Sequence, residues 1–117
     1  MATVNMDRLL QACVSQGASD IHLVVGLSPV LRIDGQLRSL ETKVLEPDDT
    51  VALMKSIAPE RNQQELQEEG GTDFGFAYGD AARFRVSTFR QKGNITVVLR
   101  LIPTKIMTFE EIGLPKI

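Results

Sequence analysis

The stretch Ala82-Arg83-Phe84-Arg85-Val86-Ser87-Thr88-Phe89-Arg90-Gln91-Lys92-Gly93-Asn94-Ile95-Thr96-Val97-Val98-Leu99-Arg100-Leu101-Ile102 decides the fold. Residues 82–90 and 95–102 read as two long strands, because apolar and polar residues alternate and β-branched residues abound. Gln91 to Asn94 form a hairpin loop by composition. Ile95, Val97, Leu99 and Leu101 line one face of the second strand, and Arg100 stands on the other. On the first strand Arg83 and Arg85 share a face opposite Phe84 and Val86. A turn centred on Lys92-Gly93 sets Arg85 directly across from Arg100, whereas one centred on Gly93-Asn94 makes them diagonal neighbours. The phase slips between Val86 and Phe89, so a bulge there could re-aim Arg90.

Upstream, Phe74, Phe76 and Tyr78 alternate with Gly75 and Ala77, which gives another strand with its aromatics toward a core. Glu60 to Glu69 contains one large apolar residue, Leu66, and reads as a peripheral, solvated helix ended by Gly70-Gly71. Pro47 suits a first helical position, and Val51, Leu53, Met54 and Ile57 form the inward face of the helix it opens. Ile21 to Val25, Val30 to Asp34 and roughly Gln36 to Ser39 read as three short strands. Between the last two, Asp34-Gly35 is a strong hairpin signal, because that turn needs positive φ at both central positions. Met6, Leu9, Leu10, Cys13 and Val14 recur at helical spacing, predicting a helix over 6–16 capped by Asn5 and stopped at Gly17. Beyond Pro103, Thr108-Phe109-Glu110-Glu111 is a capping-box pattern that opens a one-turn helix closed by Gly113.

The order is therefore αβββααβββ. Its runs of strands are too tightly connected for right-handed parallel crossovers. The prediction is an α+β domain, with a largely antiparallel sheet of about six strands and helices packed on one side, resembling a PAS-like fold.

Composition agrees with one ordinary globular core. The chain has 117 residues, 43% hydrophobic and 24% charged. A chain of this size buries about two-thirds of its surface, enough for one core but not for a two-lobed enzyme. The net charge of −2 supplies no global positive field for nucleic acid or anionic membrane, so any anion site must be local. Cys13 is the only cysteine and lies on the buried stripe of its helix, so no oxidising compartment is needed. No stretch reaches the ~18 apolar residues of a membrane span, and a cytoplasmic domain without direct membrane insertion is the expectation.

Arg83, Arg85, Arg90 and Arg100 cluster in the last hairpin. Like charges placed directly opposite cost some tenths of a kcal/mol up to ~1. A domain tolerates that where acidic neighbours, a partner surface or a phosphate neutralises the pair, and arginine's planar fork suits phosphate. His22 is the only histidine, and it reads as a hydrogen-bonded structural residue with Asp20 as its natural partner. With Cys13 the only other soft ligand, no metal site is expected. Arg32 and Asp34 read as same-face neighbours forming a surface ion pair. No nucleophile elbow, dinucleotide-binding loop or G-x-x-x-x-G-K-[ST] loop is present. The chain thus offers no catalytic residues and no means to hydrolyse a nucleoside triphosphate by itself.

Gly17-Ala18-Ser19-Asp20-Ile21-His22-Leu23 resembles the opening of secretion and type IV pilus motor ATPases. The similarity continues through Pro29-Val30-Leu31-Arg32-Ile33-Asp34-Gly35, Thr72-Asp73-Phe74-Gly75-Phe76, Arg83-Phe84-Arg85-Val86 and Arg100-Leu101-Ile102-Pro103. Met107 to Pro115 resembles that family's interdomain linker, and the likeness is nearest to the pilus-retraction (PilT-type) branch. The resemblance implies a PAS-like domain over 1–102 and, over 103–117, the start of a linker to a RecA-like ATPase core. ATP and magnesium would then be bound only with that core, and the isolated domain would carry no cofactor.

It further implies a homo-hexamer, in which this domain packs on a neighbouring subunit's ATPase core. Such a motor would sit at the cytoplasmic face of the inner membrane, beside pilus platform proteins, and would drive the depolymerisation behind twitching motility. Arg85 and Arg100, then Arg83 and Arg90, become candidates for sensing nucleotide phosphate. Asp20, His22, Arg32, Asp34 and Gly35 become structural or interface positions. The alternatives are the corresponding domain of a type II secretion or pilus-assembly ATPase, or a free-standing PAS-like module that binds a ligand or dimerises. Nucleic-acid binding is disfavoured by the net charge and the few exposed aromatics.

Overall fold

The computed structural model describes residues 5–40, 42–79 and 82–102. The expectations for 103–117, including the linker and the one-turn helix at Thr108, lie outside these residues. Helix α1 spans Met6–Ser15; the Asn5 side chain accepts a hydrogen bond from the Arg8 N–H at 3.2 Å, and Gly17 takes φ 69° just past the helix end. Strands β1 (Asp20–Leu23), β2 (Val30–Ile33) and β3 (Gln36–Ser39) follow as a meander. Helices α2 (Pro47–Ile57) and α3 (Glu60–Glu69) separate it from a second meander, β4 (Gly71–Tyr78), β5 (Ala82–Gln91) and β6 (Asn94–Ile102).

The six strands make one sheet in the order β3-β2-β1-β6-β5-β4, with every pairing antiparallel. The two meanders thus meet at β1 and β6, which are far apart in the chain. Both tight hairpins use turns with positive φ at both central residues, Asp34 (52°) with Gly35 (80°) and Lys92 (53°) with Gly93 (82°). That backbone twist matches the right-handed twist of the strands it joins.

Turn chemistry also sets the register. Gln91 pairs with Asn94, and the ladder runs without interruption to Arg83 and Ile102. The bulge raised by the sequence is therefore absent: Thr88 occupies the inward slot, fully buried, while Phe89 is half-buried on the other face. A threonine can sit there because its hydroxyl donates to the Thr96 carbonyl across the ladder at 3.0 Å, so no polar group is orphaned.

One face of the sheet carries Ile21, Leu23, Leu31, Phe84, Val86, Val97 and Leu99, all fully buried. They form a single cluster with Leu9, Leu10 and Cys13 of α1, Leu53 and Met54 of α2 and Leu66 of α3. Helix α3 is held by more than Leu66. Asn62, buried on the same helix, donates its amide to the Thr72 hydroxyl at 2.8 Å and to the Asp73 carbonyl at 3.3 Å, while that hydroxyl bonds Glu65. A reading of apolar periodicity cannot see such an anchor, because it is polar on both sides.

Candidate functional site

The opposite face of the sheet carries the charged residues, and the register lays them out in rows. Arg32, Asp20, Arg100 and Arg85 stand side by side across β2, β1, β6 and β5, and the row ends at Gly75 of β4. Next to it runs a row of Val30, His22, Val98, Ser87 and Asp73. Arg83 lies on the same face beyond Arg85, beside Ile102 and Ala77. Arg90 has even parity with Phe84, Val86 and Thr88, so it belongs to the helix side. There it lines an open groove with Val51, Met54, Lys55 and Ile95. The hairpin arginines thus divide into an outward set, Arg83, Arg85 and Arg100, and a separate Arg90.

Arg85 and Arg100 are direct cross-strand partners and both are exposed. The Lys92-Gly93 turn decides that geometry. Arg100 forms an ion pair through Nε with Asp20 Oδ2 at 3.4 Å, and the other carboxylate oxygen accepts the Ser19 hydroxyl at 2.6 Å. Among the described residues no carboxylate lies within salt-bridge distance of Arg83 or Arg85. Asp20, Asp73, Arg85, Ser87, Val98 and Arg100 enclose a depression of about 250 Å³. Two guanidinium groups and two carboxylates line it, and the nearby negative charge offsets the repulsion within the like-charged pair, although only Arg100 is directly paired. The sequence reading did not nominate Asp73, Ser19 or Ser87; only the sheet register brings them to the arginines.

Two expected pairings are not formed. His22 does not bond Asp20, whose oxygens are taken by Ser19 and Arg100; its Nε2 is buried without a hydrogen-bond partner among the described residues. Arg32 and Asp34 make no ion pair. Strand β2 ends at Ile33, and Asp34 enters the left-handed region, which breaks the alternation assumed for that pair. Gly35 serves as the second positive-φ residue of the same turn. Among the described residues no group of His, Cys, Asp and Glu is arranged to hold a metal ion, and no helix is long and apolar enough to cross a membrane.

The fold and this face define a PAS-like α+β domain that presents arginine guanidinium groups on the side of its sheet away from the helices. In sequence and in fold the chain matches the N-terminal region of the pilus-retraction branch of secretion motor ATPases. The type IV pilus retractation ATPase PilT of Pseudomonas aeruginosa is 37% identical over 114 residues, covering 97% of this chain and 33% of that protein. The crystal structure of the pilus retraction motor PilT with bound ADP superposes with a TM-score of 0.86, at 37% identity, over 97% of this chain and 33% of that one. The Legionella pneumophila ATPase DotB matches with a TM-score of 0.73 and 26% identity, over 95% of this chain and 32% of that one. No protein-family model matches. The chain spans about a third of the length of the relatives it matches.

Proposed function

We propose that this chain is the N-terminal regulatory and assembly domain of a hexameric pilus-retraction motor. In this reading it packs on the ATPase core of a neighbouring subunit and couples ATP binding to a rotation of one domain against the other. That rotation would drive pilus depolymerisation at the cytoplasmic side of the inner-membrane machinery. The observation that carries the reading is the pair of exposed guanidinium groups, Arg85 and Arg100, on the outward face of a domain that matches PilT over 97% of its length. ATP and magnesium would be held by the ATPase core, outside this chain. Arg100 and Arg85, with Arg83 behind them, would meet the phosphates and stabilise the charge that develops as the terminal phosphoryl group leaves. Arg90, on the helix side, takes no part in this contact.

The test is ATP turnover by the full-length hexamer. Arg85→Ala or Arg100→Ala is expected to lower it by about tenfold or more, as loss of one charge-stabilising group does elsewhere. The melting temperature of the isolated domain should change little. Unchanged turnover in both variants would remove the arginines from the mechanism. The similarity to DotB favours a second reading, a domain of a secretion ATPase using the same face toward its own core. Restoration of twitching in a retraction-deficient strain by the full-length gene decides between them.

A further inference from the structure

The Asp20 side chain is only 9% exposed, where an unpaired charge would be costly. Both oxygens are engaged, Oδ1 by the Ser19 hydroxyl at 2.6 Å and Oδ2 by Arg100 Nε at 3.4 Å. The segment beneath is pinned from both sides, since the Ser19 N–H donates to the Arg32 carbonyl and the Leu101 N–H donates to the Ser19 carbonyl, each at 2.8 Å. Its partner differs sharply: the Arg100 side chain is 72% exposed, and its Nη nitrogens make no hydrogen bond among the described residues. The carboxylate therefore meets the guanidinium on its Nε side, in a long contact at 3.4 Å, and leaves the Nη end available for two parallel bonds to an oxyanion. An arginine held in this way loses less side-chain freedom when it orders on a ligand.

We propose that Asp20, oriented by Ser19, is a positioning residue that presents the Nη end of Arg100 to a phosphate group of bound nucleotide. This rests on the phosphate-facing reading of Arg100 given above. Steady-state ATPase kinetics of the full-length motor, run as a double-mutant cycle, test it. Asp20→Asn is expected to lower kcat about fivefold while KM for ATP stays within about twofold, and to have no further effect in an Arg100→Ala background. Ser19→Ala, at an exposed position, should give a smaller loss in the same direction and covers the case in which Asp20→Asn fails to fold. A loss of equal size in both backgrounds would show a purely structural carboxylate and overturn the proposal. So would unchanged kcat in Asp20→Asn and Ser19→Ala when Arg100→Ala is impaired, although the arginine reading would then survive. Unchanged turnover in Arg100→Ala itself would remove both.

Discussion

Arg85 and Arg100 face each other across two strands although like charges in that position repel, and the nearby acids account for the tolerance. Their presence as arginines was legible in the sequence, and so were the two registers they could adopt. The acids that balance them were not, because Asp20 and Asp73 reach the site from strands outside the hairpin. His22 shows the same limit: two residues on one strand face, Asp20 and His22, are close without being bonded, because better-placed groups have taken the carboxylate. Cys13 is a simpler case, in which helical periodicity was enough to bury it. Its thiol is fully buried and donates to the Ala18 carbonyl at 3.5 Å. Burial, helped by the negative charge of Asp20, pushes its pKa up to about 11. Iodoacetamide at pH 8 is therefore expected to leave Cys13 unlabelled in native protein and to label it fully in denaturant, as mass spectrometry would show.

At the scale of elements, local chemistry accounts for most boundaries. Pro47 opens α2, where the Glu46 N–H donates to the Asp49 carboxylate at 2.8 Å and Lys43 pairs with the same oxygen at 2.9 Å. The hydrogen bond from Lys43, followed by that from the Glu46 backbone, lowers the Asp49 pKa from its ordinary value of 3.8. A lowered carboxylate pKa means stability that is complete above the ordinary value and drains away as pH falls below it. Losing the hydrogen bond that Asp49 accepts from the Glu46 N–H at the helix start, Asp49→Ala should cost about 0.5–1 kcal/mol at neutral pH. The gap between variant and wild type should close as thermal melts are taken down toward pH 2–3, since protonation removes the same interaction. Helix α3 was legible in extent but not in attachment. Leu66 marks one contact, while the bonds from Asn62 to Thr72 and Asp73 become available only when β4 lies alongside.

Across the whole molecule, the sheet joins two meanders through β1 and β6 and buries one face under three helices. Phe84, near the start of β5 beside the edge strand, has no exposed surface and lies between Phe76 and Leu101 on the neighbouring strands. Phe84→Ala is expected to cost about 3–5 kcal/mol through lost burial and the cavity left behind. In equilibrium unfolding this should lower the urea midpoint by at least ~1 M. Strand alternation, helical spacing and the Asp34-Gly35 turn were readable from residues within a few positions of one another, because steric limits and side-chain direction act at short range. The choice of Lys92-Gly93 over Gly93-Asn94 came only with the structure. The local signals sufficed for the α+β class, the two hairpins to within a residue at each strand end and the outward placement of Arg83, Arg85 and Arg100. The Asp20–Arg100 bond joins residues 80 positions apart. It arises only because burying the apolar face brings β1 against β6, and no local rule on either strand could specify that pairing.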